Sequence, residues 1–126
     1  VPVWKRLREK GKKVLVHIGA PGWYWIDTGT PAAYARAFFD GIAGAYDAPI
    51  PQTMAVDPQA VRAINRAIDT PENRARLGNN VWFEPGSMDE VEYIENAVVL
   101  GAHTVVSGRI VNRVITPWGR LSIDET

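Results

Sequence analysis

Residues Trp25-Ile26-Asp27-Thr28-Gly29-Thr30-Pro31 constrain this chain more than any other stretch. An apolar run, Trp23 to Ile26, ends on a carboxylate. A Thr-Gly-Thr turn follows, and Pro31 opens a helix-like stretch. Thr30 with Pro31 is an ordinary helix start, a hydroxyl cap and then proline at the first helical position. Strand, acid, tight turn, helix start: that order places Asp27 at the carboxyl end of a strand, where open α/β sheets hold their ligands. One carboxylate there, without a full protein cage, suits a magnesium ion shared with substrate phosphates. The plainer role for Asp27 is to brace the turn, and the spacing alone leaves both open.

The remaining elements follow from periodicity and turn chemistry. Pro2 to Lys10 predicts a short helix with Trp4 and Leu7 on one face, ended by Gly11. Val14 to Ile18 is an apolar, β-branched run of strand length. The turn Gly19-Ala20-Pro21-Gly22 leads to a second expected strand, Trp23 to Ile26. From Pro31 to Ile42, Tyr34, Phe38 and Ile42 recur every four residues and predict one buried stripe on a helix. Tyr46 to Thr53, with Pro49 and Pro51, reads as linker. Asp57-Pro58 is a second cap-plus-proline start, and Val61, Ile64 and Ile68 predict a helical apolar face. Thr70-Pro71-Glu72 starts a short helical turn ending near Leu77-Gly78.

After Asn80 the rhythm changes to six. Leu77, Phe83 and Asp89 are six apart, and the phase then slips. Ile94, Leu100 and Val106 resume it, and Val98, Thr104 and Ile110 hold a second series. A six-residue rhythm with an inward aliphatic residue is that of a short left-handed parallel β-helix. Pro117-Trp118-Gly119 predicts a closing turn, with Trp118 over the open end of the coil.

Composition excludes several classes. Fourteen basic and 14 acidic residues cancel, which argues against a nucleic-acid or anionic-membrane surface as the main partner. The basic cluster Lys5, Arg6, Arg8, Lys10, Lys12, Lys13 reads as a solvated face. The absence of cysteine excludes disulfides, zinc-thiolate sites and a thiol nucleophile. No apolar run approaches transmembrane length and no signal-peptide pattern opens the chain, so the expected compartment is the cytoplasm. His17 lies mid-run with no second ligand nearby and reads as a packed or surface histidine. No serine-histidine-acid set, histidine pair or phosphate-cradling loop can be assembled from these residues.

The string Gly22 to Pro31, running into Ala33-Tyr34, resembles the late catalytic-domain signature of sugar-1-phosphate nucleotidyltransferases. Val3 to Lys10 and Lys12 to Ile18 are similar to the helix and strand that precede it in that family. The string Ile94-Glu95-Asn96-Ala97-Val98-Val99-Leu100-Gly101 resembles the β-helix tail that follows the catalytic domain in many members. The resemblance is weakest between Ala43 and Arg76. It implies an α/β fragment, the distal edge of a Rossmann-like nucleotidyltransferase domain, followed by a short left-handed parallel β-helix. The expected divisions are a catalytic edge over residues 1–43, linker and helices over 44–76, and tail over 77–126. The family's glycine-rich nucleotide loop and its second metal-binding Asp have no counterpart here, so the chain reads as the carboxyl-terminal part of a longer enzyme.

By this resemblance Asp27 is a magnesium ligand, and Trp25 and Gly22 border the sugar. The whole enzyme would take a nucleoside triphosphate and a sugar 1-phosphate, guanine with mannose being the nearest pair, and release pyrophosphate. The chain alone, lacking the nucleotide loop, is expected to be inactive. It is also expected to form homo-oligomers, because the two apolar runs would lack sheet neighbours. Two alternatives belong to other classes. One is a non-catalytic β-helix module for oligomerisation or regulation. The other is a hexapeptide-repeat acyltransferase with His103 as general base.

Overall fold

The computed structural model describes residues 2–124. The chain is a mixed α/β fold built on one six-stranded sheet whose strands lie in sequence order. Helix α1 covers Val3–Glu9 and α2 covers Pro31–Ile42. The strands are β1 (Met54–Asp57), β2 (Arg62–Asn65), β3 (Val81–Phe83), β4 (Val91–Val99), β5 (Gly108–Thr116) and β6 (Gly119–Ser122). A 3-10 turn, Arg66–Ile68, and the one-turn helix α3, Pro71–Arg74, link β2 to β3. Strands β2 to β5 run parallel, and antiparallel hairpins β1–β2 and β5–β6 close the two edges.

From β3 to β5 the parallel register is offset by 16 residues, Val81 pairing with Ala97 and Ala97 with Arg113, whereas β2 and β3 are offset by 19, Arg62 pairing with Val81. At the same place in each turn stands an asparagine with a left-handed backbone, Asn80 (φ 57°), Asn96 (φ 48°) and Asn112 (φ 55°). Asparagine tolerates that region better than other side-chain-bearing residues. The amide of Asn96 donates to Oδ1 of Asn112 at 2.7 Å, stacking one bend on the next. Because 16 is not a multiple of six, the hexad series cannot run unbroken from one turn to the next. The expected hexads mark one interior only in part: Leu77, Phe83, Ile94, Val106 and Ile110 share a core, but Val98 faces the other core, Leu100 and Thr104 are half-buried and Asp89 is exposed.

Alternation along the short strands builds two cores. Ile64, Phe83, Val99 and Ile115 align across β2 to β5 and point into one core, with Met88, Ile94 and Ile110. Ala63, Trp82, Val98 and Val114 align on the other face, where α2 covers them with Ala35, Phe38 and Ile42. Helix α2 has the expected bounds; of the expected stripe Ile42 is buried and Phe38 half-buried against the core, whereas Tyr34 is exposed. The Phe38 ring meets Trp82 edge-on at 5.1 Å.

Three expectations are corrected. Val14 to Ile18 and Trp23 to Ile26 form no strands; both runs are irregular chain outside the sheet, with Leu15, Val16, Ile18, Trp23 and Trp25 exposed. A strand needs a hydrogen-bonded partner, and among the described residues neither run has one. Residues 57–68 are not helical but form the β1–β2 hairpin and the 3-10 turn. Asp57 Oδ1 accepts from the amides of Gln59 and Ala60, both at 3.1 Å, as a helix cap would, yet the chain reverses. Arg62 then returns to Asp57 at 3.0 Å, and Ala63 and Ile64 find burial in the sheet. Pro117-Trp118-Gly119 does turn β5 into β6, but Trp118 is 92% exposed and covers nothing.

Candidate functional site

The Asp27 segment lies on the outside of the fold, ahead of α2. Exposure alternates from Trp23 to Asp27: Tyr24 and Ile26 are half-buried, while Trp23, Trp25 and Asp27 face solvent. Tyr24 anchors the segment. Its hydroxyl donates to Asp40 Oδ2 of α2 at 2.8 Å, and its ring lies 4.5 Å from that of Tyr46. Desolvation, and then the hydrogen bond to the Asp40 carboxylate, push the Tyr24 phenol up to about 12. Asp40 is held in turn by Arg36 one helical turn earlier, at 3.4 Å.

Asp27 itself folds back on the turn. Its Oδ1 accepts the Gly29 amide at 3.0 Å, an Asx turn that turns the chain toward α2. Thr30 Oγ1 accepts the Ala33 amide at 3.2 Å and Pro31 holds the first helical position, so the cap is as expected. The turn borders a groove of about 310 Å³. Thr28, Gly29, Thr30 and Tyr34 form one wall, and Val114, Thr116 and Leu121 of the last hairpin form the other. No periodicity could have joined these walls, because they come from opposite ends of the sequence and meet only through the sheet.

Asp27 is exposed and bonded through one oxygen, so it can offer its second oxygen to a hard cation. No group of three histidine, aspartate or glutamate side chains able to hold a metal occurs among the described residues. The donor set here therefore fits one position of a magnesium shell and no more. Trp25 is 82% exposed and shares its side of the segment with Asp27 by alternation. Gly22 has φ 86°, and a side chain there would meet open space, so the turn alone accounts for the glycine. Gly19 differs: a Cβ there would collide with the Trp23 ring, which also stacks on His17 at 5.6 Å.

His103 lies far along the sequence in the exposed loop joining β4 to β5. It stands between two grooves, one of about 630 Å³ reaching Trp118 and Arg120, the other of about 270 Å³ reaching Pro85 and Glu90. No ion pair fixes it. No helix among the described residues is long and apolar enough to cross a membrane. Comparison with protein-family models, curated proteins and solved structures finds no match to this chain.

Proposed function

We propose that this chain is the carboxyl-terminal part of a sugar-1-phosphate nucleotidyltransferase. The observation that carries this is the local build of Trp25 to Pro31. An irregular segment presents an exposed carboxylate, turns through Gly29, and enters a capped helix at Pro31. Acid, turn and capped helix follow one another as in the resembling signature; the strand expected before Asp27 is not formed, so Asp27 ends no strand of the sheet. The parallel stack after it supports the second half of the proposal. We take the 16-residue turns with their asparagine bends to be the β-helix tail, wound left-handed.

In the whole enzyme the nucleotidyl group passes from a nucleoside triphosphate to a sugar 1-phosphate, and pyrophosphate leaves. Magnesium, when bound, offsets the negative charge of the phosphates. Asp27 holds one position on that ion and is itself held by the Gly29 amide. Tyr24, locked to Asp40, keeps the segment from turning over, so that Trp25 and Asp27 stay on one side. Trp25 borders the sugar, and the turn at Gly22 sets where the aromatic run begins.

The test uses the gene product translated from its own start codon, supplied with each nucleoside triphosphate and a panel of sugar 1-phosphates. Pyrophosphate release with GTP and mannose 1-phosphate is the expected outcome. Asp27→Asn should lower turnover on the order of a hundredfold, the usual effect of losing one group that stabilises transferred charge. Release with no pair of substrates, or full activity in Asp27→Asn, would overturn the proposal. The 126-residue chain alone should show no turnover.

A further inference from the structure

The two charge poles of this neutral molecule never meet each other. Between Val3 and Lys13 stand six basic residues and one acid, Glu9. Between Glu84 and Glu95 stand five acids and no basic residue. The ion pairs among the described residues are Arg36–Asp40, Arg62–Asp57 and Arg74–Asp69, and none involves either stretch. Each pole also carries apolar surface without cover. Helix α1 has no buried residue, and Val3, Trp4 and Leu7 are exposed on it. At the acidic pole the groove of about 270 Å³ runs between Pro85 and the His103–Val106 loop, with Glu90 on its wall and Val105 80% exposed.

We infer that the basic arm, α1 and the lysines after it, docks through Trp4 and Leu7 into the acidic groove of a second copy of this chain. Charge complementarity selects the occupant: Arg6, Arg8 and Lys12 then face Asp89, Glu90 and Glu92, all exposed. Burial of Trp4 supplies the anchor, and the charges set orientation and encounter rate. Arm and groove are both present on every copy, so two copies can exchange arms reciprocally and close on a two-fold axis. The inference goes beyond the catalytic proposal and does not depend on it, since it concerns association of the chain alone.

Sedimentation of the 126-residue chain over a range of concentrations provides the test. A dimer is expected at low salt, weakened about tenfold between roughly 0.05 and 0.5 M NaCl as exposed charges are screened. Trp4→Ala with Leu7→Ala should abolish it. Arg6→Glu with Arg8→Glu, and separately Glu90→Lys with Glu92→Lys, should each give monomers. Mixing these two charge-reversed chains should restore dimers, because each reversed arm then meets a reversed groove. This recovery keeps the test independent of any loss of folding in one variant. A monomer at every concentration, association that salt does not weaken, or a mixture that stays monomeric would overturn the inference.

Discussion

At the scale of single residues, the left-handed asparagines beside the parallel strands are where backbone and side chain are most tightly matched. Asn96 adopts a left-handed backbone and donates to Asn112. Asn96→Ala loses both the tolerance and the bond and should cost about 2 kcal/mol. Asn96→Gly loses the bond alone and should cost about 1 kcal/mol. Chemical denaturation of the two variants separates these contributions. The same column begins badly, at Val61 (φ 51°), whose carbonyl accepts the Asn80 amide at 3.1 Å. A β-branched residue is poorly suited to that region. Val61→Asn should therefore raise stability by about 1 kcal/mol, the left-handed cost relieved outweighing the partial packing lost. A lower denaturation midpoint in Val61→Asn would show that its contacts with the α2-side core matter more. Tyr24 adds a pH dependence. Its folded pKa of about 12 exceeds the ordinary 10.0, so its contribution is complete below pH 10 and is lost as pH rises toward 12. Stability should fall more steeply across that window in the parent than in Tyr24→Phe.

At the scale of elements, what could be read from the sequence depended on whether the deciding chemistry was local. Helix α2 was legible because Thr30 and Pro31 mark its start and Phe38 and Ile42 pack on the core, although Tyr34 of the same stripe stays exposed. The cap belongs to the helix itself, so Thr30→Ala should cost about 1 kcal/mol, measurable by thermal unfolding. Residues 57–68 were misread because an Asx turn and a helix cap use the same Asp-Pro chemistry. The outcome was decided by β3, which offers Ala63 and Ile64 the partners Trp82 and Phe83. The runs at 14–18 and 23–26 were misread for the converse reason. Their composition is that of strands, but neither pairs with the sheet, whose edges are β1 and β6. The stack itself was half legible. The hexads caught part of one core but mixed in Val98 from the other face and the exposed Asp89, and asparagine every 16 residues at 80, 96 and 112 has no apolar content and escapes a search for hydrophobic rhythm. The Asp27 turn was readable; its groove against Val114 and Leu121 was not, because it exists only once the sheet has formed.

At the scale of the whole molecule, stability is unevenly distributed. Both buried cores are formed by residues from Ala35 onward. Helix α1 is seven residues long and buries none of them, and a helix that short is marginal in water without tertiary support. Tyr24 holds the intervening chain through its hydroxyl to Asp40 of α2 and through one ring contact to Tyr46 beyond it. Exposed chain with few buried contacts opens most readily and is cut first. In dilute solution at high salt, where arm exchange is suppressed, trypsin should cut first at Lys10, Lys12 or Lys13. The product should resist further cleavage, because the side chains of Arg62 and Arg76 are held to the carbonyls of Leu77 and Val91. At high concentration and low salt the same bonds should be protected as the arm enters its partner's groove. Mass spectrometry of the first fragments reads both effects. First cuts at Arg74 or Arg109 would place the weakest region inside the coil. Equal cutting at Lys10–Lys13 under both conditions would mean that the arm stays free in the associated state.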